Sequence, residues 1–153
     1  MSPTEDHLRY TNPLVERYAS RPMLALFSPQ TKFTTWRRLW VALAEAEQAC
    51  GLGITDVQLG ELRAALDDVP FARVAELERE LRHDVMAHVH AYGEQCPAAR
   101  PIIHLGATSC FVTDNADLML LRDALDIVRG RLLAVVAGLA DFARAHRAVS
   151  ALA

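Results

Sequence analysis

The sequence predicts an all-α protein, and three observations carry that reading. Hydrophobic residues recur at three- and four-residue steps along almost all of its 153 residues. Glycine and proline number only seven each, too few for a loop-rich all-β domain or a low-complexity chain. From Leu118 to Phe142 the apolar residues form one sustained seam with no proline to interrupt it. A composition of 52% hydrophobic and 23% charged residues fits a folded globular chain and excludes wholesale disorder.

Residues before about Ser20 are polar, include Pro3 and Pro13, and read as an arm. The first strong helix follows Ser28-Pro29, because serine suits an N-cap and proline the first helical position. Its apolar residues are Phe33, Trp36, Leu39, Trp40, Leu43 and Ala46, and Gly51 stops it. Both tryptophans read as core, and Arg37, Arg38, Glu45 and Glu47 are expected mostly on the opposite face. A second helix opens at Thr55-Asp56-Val57-Gln58, which has capping-box spacing, and is expected to end near Asp67-Asp68. A third begins at Pro70, is heavily charged through Glu80, and leads to Arg82-His83-Asp84. A more apolar stretch then runs to Tyr92-Gly93, and Pro97 and Pro101 mark a loop. Ile102 to Ser109 reads as a turn or loop. Thr113-Asp114 is the expected N-cap of a last helix reaching about His146, roughly 50 Å long. Leu118, Leu121, Leu125, Val128, Leu132, Val135, Leu139 and Phe142 form its seam. The shorter helices cannot cover it. Its partners are therefore expected from other subunits, or from a natural protein that continues past Ala153.

Several function classes fall away. The net charge is −3 and lysine occurs once, as Lys32, so there is no basic excess to bind nucleic acid. Met1 to Asp6 has neither the positive nor the apolar region of a signal peptide. No apolar run suffices to cross a bilayer. Cys50, Cys96 and Cys110 are odd in number, form no CxxC pair, and read as free thiols in a reducing cytoplasm.

Two clusters could carry chemistry. In the first, Arg82-His83-Asp84 is followed by His88 and His90. The spacing does not put two imidazoles on one helical face, so no metal site is read from it. The bland reading is a surface helix with partly exposed histidines. The functional reading is an anion site, with Arg82 as a planar fork, His83 as donor or proton shuttle, and Asp84 orienting a neighbour. In the second cluster, Ile102 to Ser109, a glycine and two hydroxyl residues precede a helix and can offer donors to an anion. Its bland reading is a capped turn. Arg17-Tyr18 in the arm is a third candidate, whose bland reading is plain surface. No Gly-rich phosphate loop, HExxH, nucleophile elbow or catalytic-triad spacing occurs.

Leu81 to His90, Leu-Arg-His-Asp-Val-Met-Ala-His-Val-His, resembles the RHDVMAH motif of the adenylosuccinate lyase family. Ile103 to Cys110 resembles its H-x-G-x-T-S motif, which alone would mark only the wider fumarase/aspartase superfamily. Thr35 to Glu47 is similar to the family's first helix, and Tyr10 to Met23 to its substrate-contacting arm.

The resemblance implies a small helical N-terminal domain, residues 1–111, and the first long helix of a central bundle domain, residues 112–153. It implies β-elimination that releases fumarate from adenylosuccinate and from the succinyl-carboxamide intermediate of purine synthesis. It implies no cofactor and no metal. Four subunits would pack their long helices into one bundle. Arg17 and Tyr18 would contact the nucleotide phosphate. Arg82, His83 and Asp84 would line the site, with His83 and His104 as its catalytic histidines. Thr108 and Ser109 would bind the succinyl carboxylates. The family's general acid histidine, in a T-H-x-Q-P-A-Q-type motif, and base serine, in an S-S-x-M-P-x-K-x-N loop, do not occur in these residues. The sequence therefore reads as roughly the N-terminal third of such an enzyme, expected to be inactive alone. The alternatives are another lyase of the superfamily, such as argininosuccinate lyase or a carboxymuconate cycloisomerase, and a noncatalytic helical oligomerisation module.

Overall fold

The computed structural model describes residues 12–150; Tyr10 and Pro3 of the arm, the Met1–Asp6 start and residues 151–153 lie outside the described residues. Every regular element described is helical. The chain divides into two units, residues 27–120 and the flanking segments up to Leu26 and from Leu121.

Residues 27–120 contain a core of their own. Helix α2 (Pro29–Ala49) is its centre. Ser28 caps it by accepting from the Thr31 N–H at 3.3 Å, with proline in the first turn. At its far end Gly51 adopts φ +90, the Gly51 N–H reaches the Gln48 carbonyl, and the Leu52 N–H reaches that of Glu47. That pair of bonds satisfies carbonyls the helix would leave open, and the left-handed backbone explains the glycine. Helix α3 (Asp56–Ala64) opens on the expected capping box between Thr55 and Gln58. It stops at Ala64, short of Asp67-Asp68, because the carbonyls of Ala65 and Asp68 turn to accept from Arg37 instead.

Helix α4 (Phe71–Leu81) and helix α5 (Asp84–Gln95) form an antiparallel pair, with Arg73 at the start of one meeting Glu94 at the end of the other at 2.8 Å. Val74, Leu77, Ala87 and Ala91 pack between them. Trp36, Trp40, Leu59, Leu62, Val85, Tyr92, Ile103 and Val112 join α2, α3, α5 and the final helix in one larger cluster. Burial of each such side chain contributes about 1.5–3 kcal/mol. Both tryptophans are core, as the spacing predicts, at 1% and 0% exposure.

Arg37 is a correction: periodicity puts it on the outer face, yet it is 1% exposed. Its guanidinium donates to the Ala65 carbonyl, to the Asp68 carbonyl at 2.8 Å and to Gln95 Oε1 at 2.8 Å, and lies 4.2 Å from the Tyr92 ring centre. A buried cation is tolerable only with such partners. The arm also holds more order than a bare arm would, with a π-helical turn at Leu14–Tyr18 and helix α1 at Arg21–Leu26.

Helix α6 spans Ser109–Ala145, 37 residues. It starts before the expected Thr113-Asp114 cap: the Thr113 hydroxyl sits inside the helix, 3.3 Å from the Ser109 carbonyl and 2.8 Å from Asp114 Oδ1, and its single proton serves one of these acceptors at a time. Val112, Ala116 and Leu120 are buried, whereas the eight seam residues from Leu118 to Phe142 are 52% to 68% exposed. No helix among the described residues is long and apolar enough to cross a membrane.

Candidate functional site

The site is built at the link between α4 and α5. Arg82 ends α4 with φ 52 and ψ 35, the one non-glycine residue at positive φ among those described, and its N–H closes the helix on the Glu78 carbonyl. A side chain in this left-handed region costs roughly 1–2 kcal/mol. The next residue, His83, is extended and caps α5, its Nδ1 accepting from the Met86 N–H at 3.4 Å. Asp84 opens α5, and its Oδ1 accepts from the Val85 N–H at 2.7 Å and lies 3.6 Å from His83 Nδ1. The Arg82-His83-Asp84 run is thus a helix stop and restart that exposes all three side chains.

The second cluster arrives by turns. A short 3-10 segment, Arg100–Ile102, leads to buried Ile103 and half-buried His104. Gly106 then takes φ +64, which any other residue would adopt only at a cost, and α6 begins at Ser109. Ser109 Oγ lies 3.4 Å from His83 Nε2. With Nδ1 accepting from the Met86 N–H, a neutral His83 has its proton on Nε2, where it can donate to that hydroxyl. One contact therefore joins residues 26 positions apart and brings the N-termini of α5 and α6 together. His104 accepts from the indole N–H of Trp40 at 3.0 Å. Burial, and then the neighbouring His83, hold its pKa below the usual imidazole value.

This geometry offers donors that could hold an anion, beside the carboxylates of Glu78 and Asp84. Two helix N-termini each present the equivalent of about half a positive charge and unpaired N–H groups. The Arg82 guanidinium and the Thr108 hydroxyl make no hydrogen bond or ion pair to another described residue. An open groove of about 760 Å³ lies alongside, lined by Ala75, Glu78, Arg79, Arg82, His83 and Asp84. Thr108 and Ser109 are not among its lining residues; it lies on the α4 side of the site. Among the described residues no cluster of three His, Cys, Asp or Glu side chains is placed to hold a metal.

Of the sequence candidates, Arg82, His83, Asp84, His104, Thr108 and Ser109 all lie within the 27–120 unit, and His83 touches both Asp84 and Ser109. Arg17 and Tyr18 lie on the exposed π-helical turn of the other unit. His88 departs from the surface reading: it is 3% exposed, with its ring centre 3.9 Å from that of Phe33 and 5.3 Å from that of Trp36. Burial, followed by Arg37, pushes its pKa down to about 4, so it is a neutral core residue. Cys96 is buried too, its thiol donating toward the Glu61 carbonyl, and burial pushes its pKa up to about 11. It is no nucleophile. Trp40 is the site residue that sequence reasoning assigned to the core alone; nothing local to it signals a bond to a residue 64 positions away.

No protein-family model matches the chain. Among curated proteins it is 51% identical over 145 residues to the adenylosuccinate lyase of Saccharomyces cerevisiae, a match covering 93% of this chain and 30% of that protein. It is 47% identical over 144 residues to the adenylosuccinate lyase of Schistosoma mansoni, covering 94% and 30%. It is 46% identical over 151 residues to that of Schizosaccharomyces pombe, covering 97% and 31%. The chain thus spans about 30% of the length of the curated relatives it matches.

Proposed function

By sequence the chain belongs to the adenylosuccinate lyase family, and on that premise we propose that it supplies the anion-binding part of a lyase active site. The reaction is β-elimination: a C–N bond breaks, a proton leaves the adjacent carbon, and fumarate departs from adenylosuccinate or from the succinyl-carboxamide ribotide. The observation that carries this reading is the His83–Ser109 contact, which unites the two motifs at paired helix N-termini. A substrate with a phosphate and two carboxylates suits Arg82, Thr108 and Ser109, and oriented donors stabilise the charge that develops on the succinyl carboxylate during elimination. His83 lies against the same hydroxyl. Arg17 and Tyr18 are assigned to the phosphate by their place in the arm motif. The general acid and base come from sequence outside these 153 residues, so the chain by itself releases no fumarate.

The remaining assignments follow the same premise. Residues 1–111 form the small domain, and residues 112–153 open a bundle that four copies complete in the cytoplasm. The exposed seam of α6 supports that self-association. The test is reassembly. The yeast enzyme lacking the matched N-terminal stretch is co-expressed with this chain, with yeast's own stretch as the positive control. Fumarate release restored by this chain, and abolished by Arg82→Ala, is expected. Restoration by the yeast stretch but never by this chain would overturn the proposal. Assembly without activity would favour a noncatalytic oligomerisation module.

A further inference from the structure

We propose that Trp40 is a positioning residue: its indole N–H fixes His104 as the neutral tautomer protonated at Nε2, so that His104 serves as a hydrogen-bond donor to an anionic substrate oxygen and not as a proton carrier. The inference rests on the site reading above for the word substrate, and on the chain's own geometry for everything else.

Trp40 is fully buried in α2. Its Nε1 lies 3.0 Å from His104 Nδ1, and the two ring planes stand at 89°. An indole N–H can only donate and does not titrate, so the imidazole nitrogen facing it must be an acceptor. The single proton of neutral imidazole is thereby placed on Nε2. Protonating Nδ1 as well would set two N–H groups head to head in a part-buried contact and leave one without a partner, which is unfavourable. A histidine so constrained is a poor acid or base at Nδ1 and a well-defined donor at Nε2.

Trp36 gives the internal control. It stands one turn earlier on the same helix and is equally buried, yet its indole nitrogen has no hydrogen-bond partner. Core packing alone therefore does not dictate an indole bond in this helix. His83 reaches the same tautomer by a different device, with a backbone N–H facing Nδ1 in place of an indole. Both site histidines thus have a donor facing Nδ1, which in the neutral ring leaves Nε2 to carry the proton.

The experiment is nitrogen NMR of the chain labelled at histidine and tryptophan. In the wild-type protein His104 is expected to show an unprotonated Nδ1 and a protonated Nε2, with scalar coupling between Trp40 Nε1 and His104 Nδ1. This needs no variant and decides the lock directly. Trp40→Phe is expected to collapse the two nitrogen signals toward a common average, while Trp36→Phe, which damages the same core, leaves them apart. In the reassembled enzyme Trp40→Phe is expected to raise KM about tenfold with a smaller change in kcat, the effect of loosening one hydrogen bond to a charged group. A wild-type Nδ1–H tautomer, or equal averaging in both phenylalanine variants, would overturn the lock. An intact lock with KM unmoved by Trp40→Phe would overturn its role in substrate binding. Absent activity in the wild-type assembly would instead count against the lyase reading, and the tautomer measurement would still stand.

Discussion

Residues 27–120 and the later part of α6 use the same helical alphabet to opposite ends. In the first, apolar side chains are removed from water and the polar groups among them are tied down: Arg37 by two carbonyls and Gln95, Tyr92 by its bond to the Leu62 carbonyl. In the second, Leu125, Val128, Leu132, Val135, Leu139 and Phe142 are all more than half exposed. Helix α6 carries both behaviours. Its buried residues Val112, Ala116 and Leu120 are spaced by four, whereas the seam alternates threes and fours. One face serves a fold, and the other has the form of an interface.

The largest expected effect tests that division. Leu125→Asp with Leu132→Asp removes two apolar contacts from each copy and sets charges in the proposed bundle. About 4 kcal/mol per copy is lost, roughly a thousandfold in association. Sedimentation should show the wild-type chain self-associated and the variant monomeric, with equal melting once the wild type is diluted to monomer. A wild-type chain that is monomeric at all concentrations would refute the interface.

The converse variant is Arg37→Met, which keeps the stem over Tyr92 and orphans the acceptors of its guanidinium. We expect a loss of about 2–4 kcal/mol in urea unfolding with self-association intact. If the two variants each moved both properties, the division between core and seam would be wrong.

A third test is pH. His88 has its pKa pushed down to about 4 by burial and then by Arg37, with Lys32 acting in the same direction and Asp84 against it. As pH falls below about 6.5, the unfolded chain takes up the proton first. Folded stability therefore falls between about 6.5 and 4 and levels off below that, by roughly 3 kcal/mol. His88→Leu should melt with a shallower slope across that window. An equal slope would show that carboxylates, not His88, set the acid limit.

Legibility in the sequence followed the range of the interaction. The starts of α2 and α3 and the stop at Gly51 depend on residues within a few positions, and Ser28, Thr55 with Gln58, and Gly51 declared them. The start of α6 differs from the expected Thr113-Asp114 cap because a threonine that suits an N-cap can equally sit inside a helix with its hydroxyl against the Ser109 carbonyl. The burial of Arg37 is invisible to periodicity because its partners lie 28, 31 and 58 residues away. The same holds within the site. Motifs named Arg82, His83, Asp84, His104, Thr108 and Ser109. No local pattern could say that His83 meets Ser109, or that a core tryptophan orients His104.

The smallest expected effect is the most specific to function. Arg82 holds a left-handed backbone that glycine would take without strain. Hydrogen bonding gives folding no reason for arginine there, because its guanidinium makes no hydrogen bond or ion pair to another described residue. Arg82→Gly should therefore leave stability unchanged or raise it by up to about 1 kcal/mol, the relief of strain being partly offset by a freer unfolded chain. Arg82→Ala keeps the strain, so it should be no more stable than the parent. In the reassembled enzyme both should lose fumarate release. Thermal unfolding and activity measured on one pair of variants thus separate two explanations of the same residue. If Arg82→Gly destabilised the chain by more than 1 kcal/mol, arginine would be there for the fold. If it is neutral to folding and costly to turnover, the strained backbone is retained for the charge it carries to the mouth of the site.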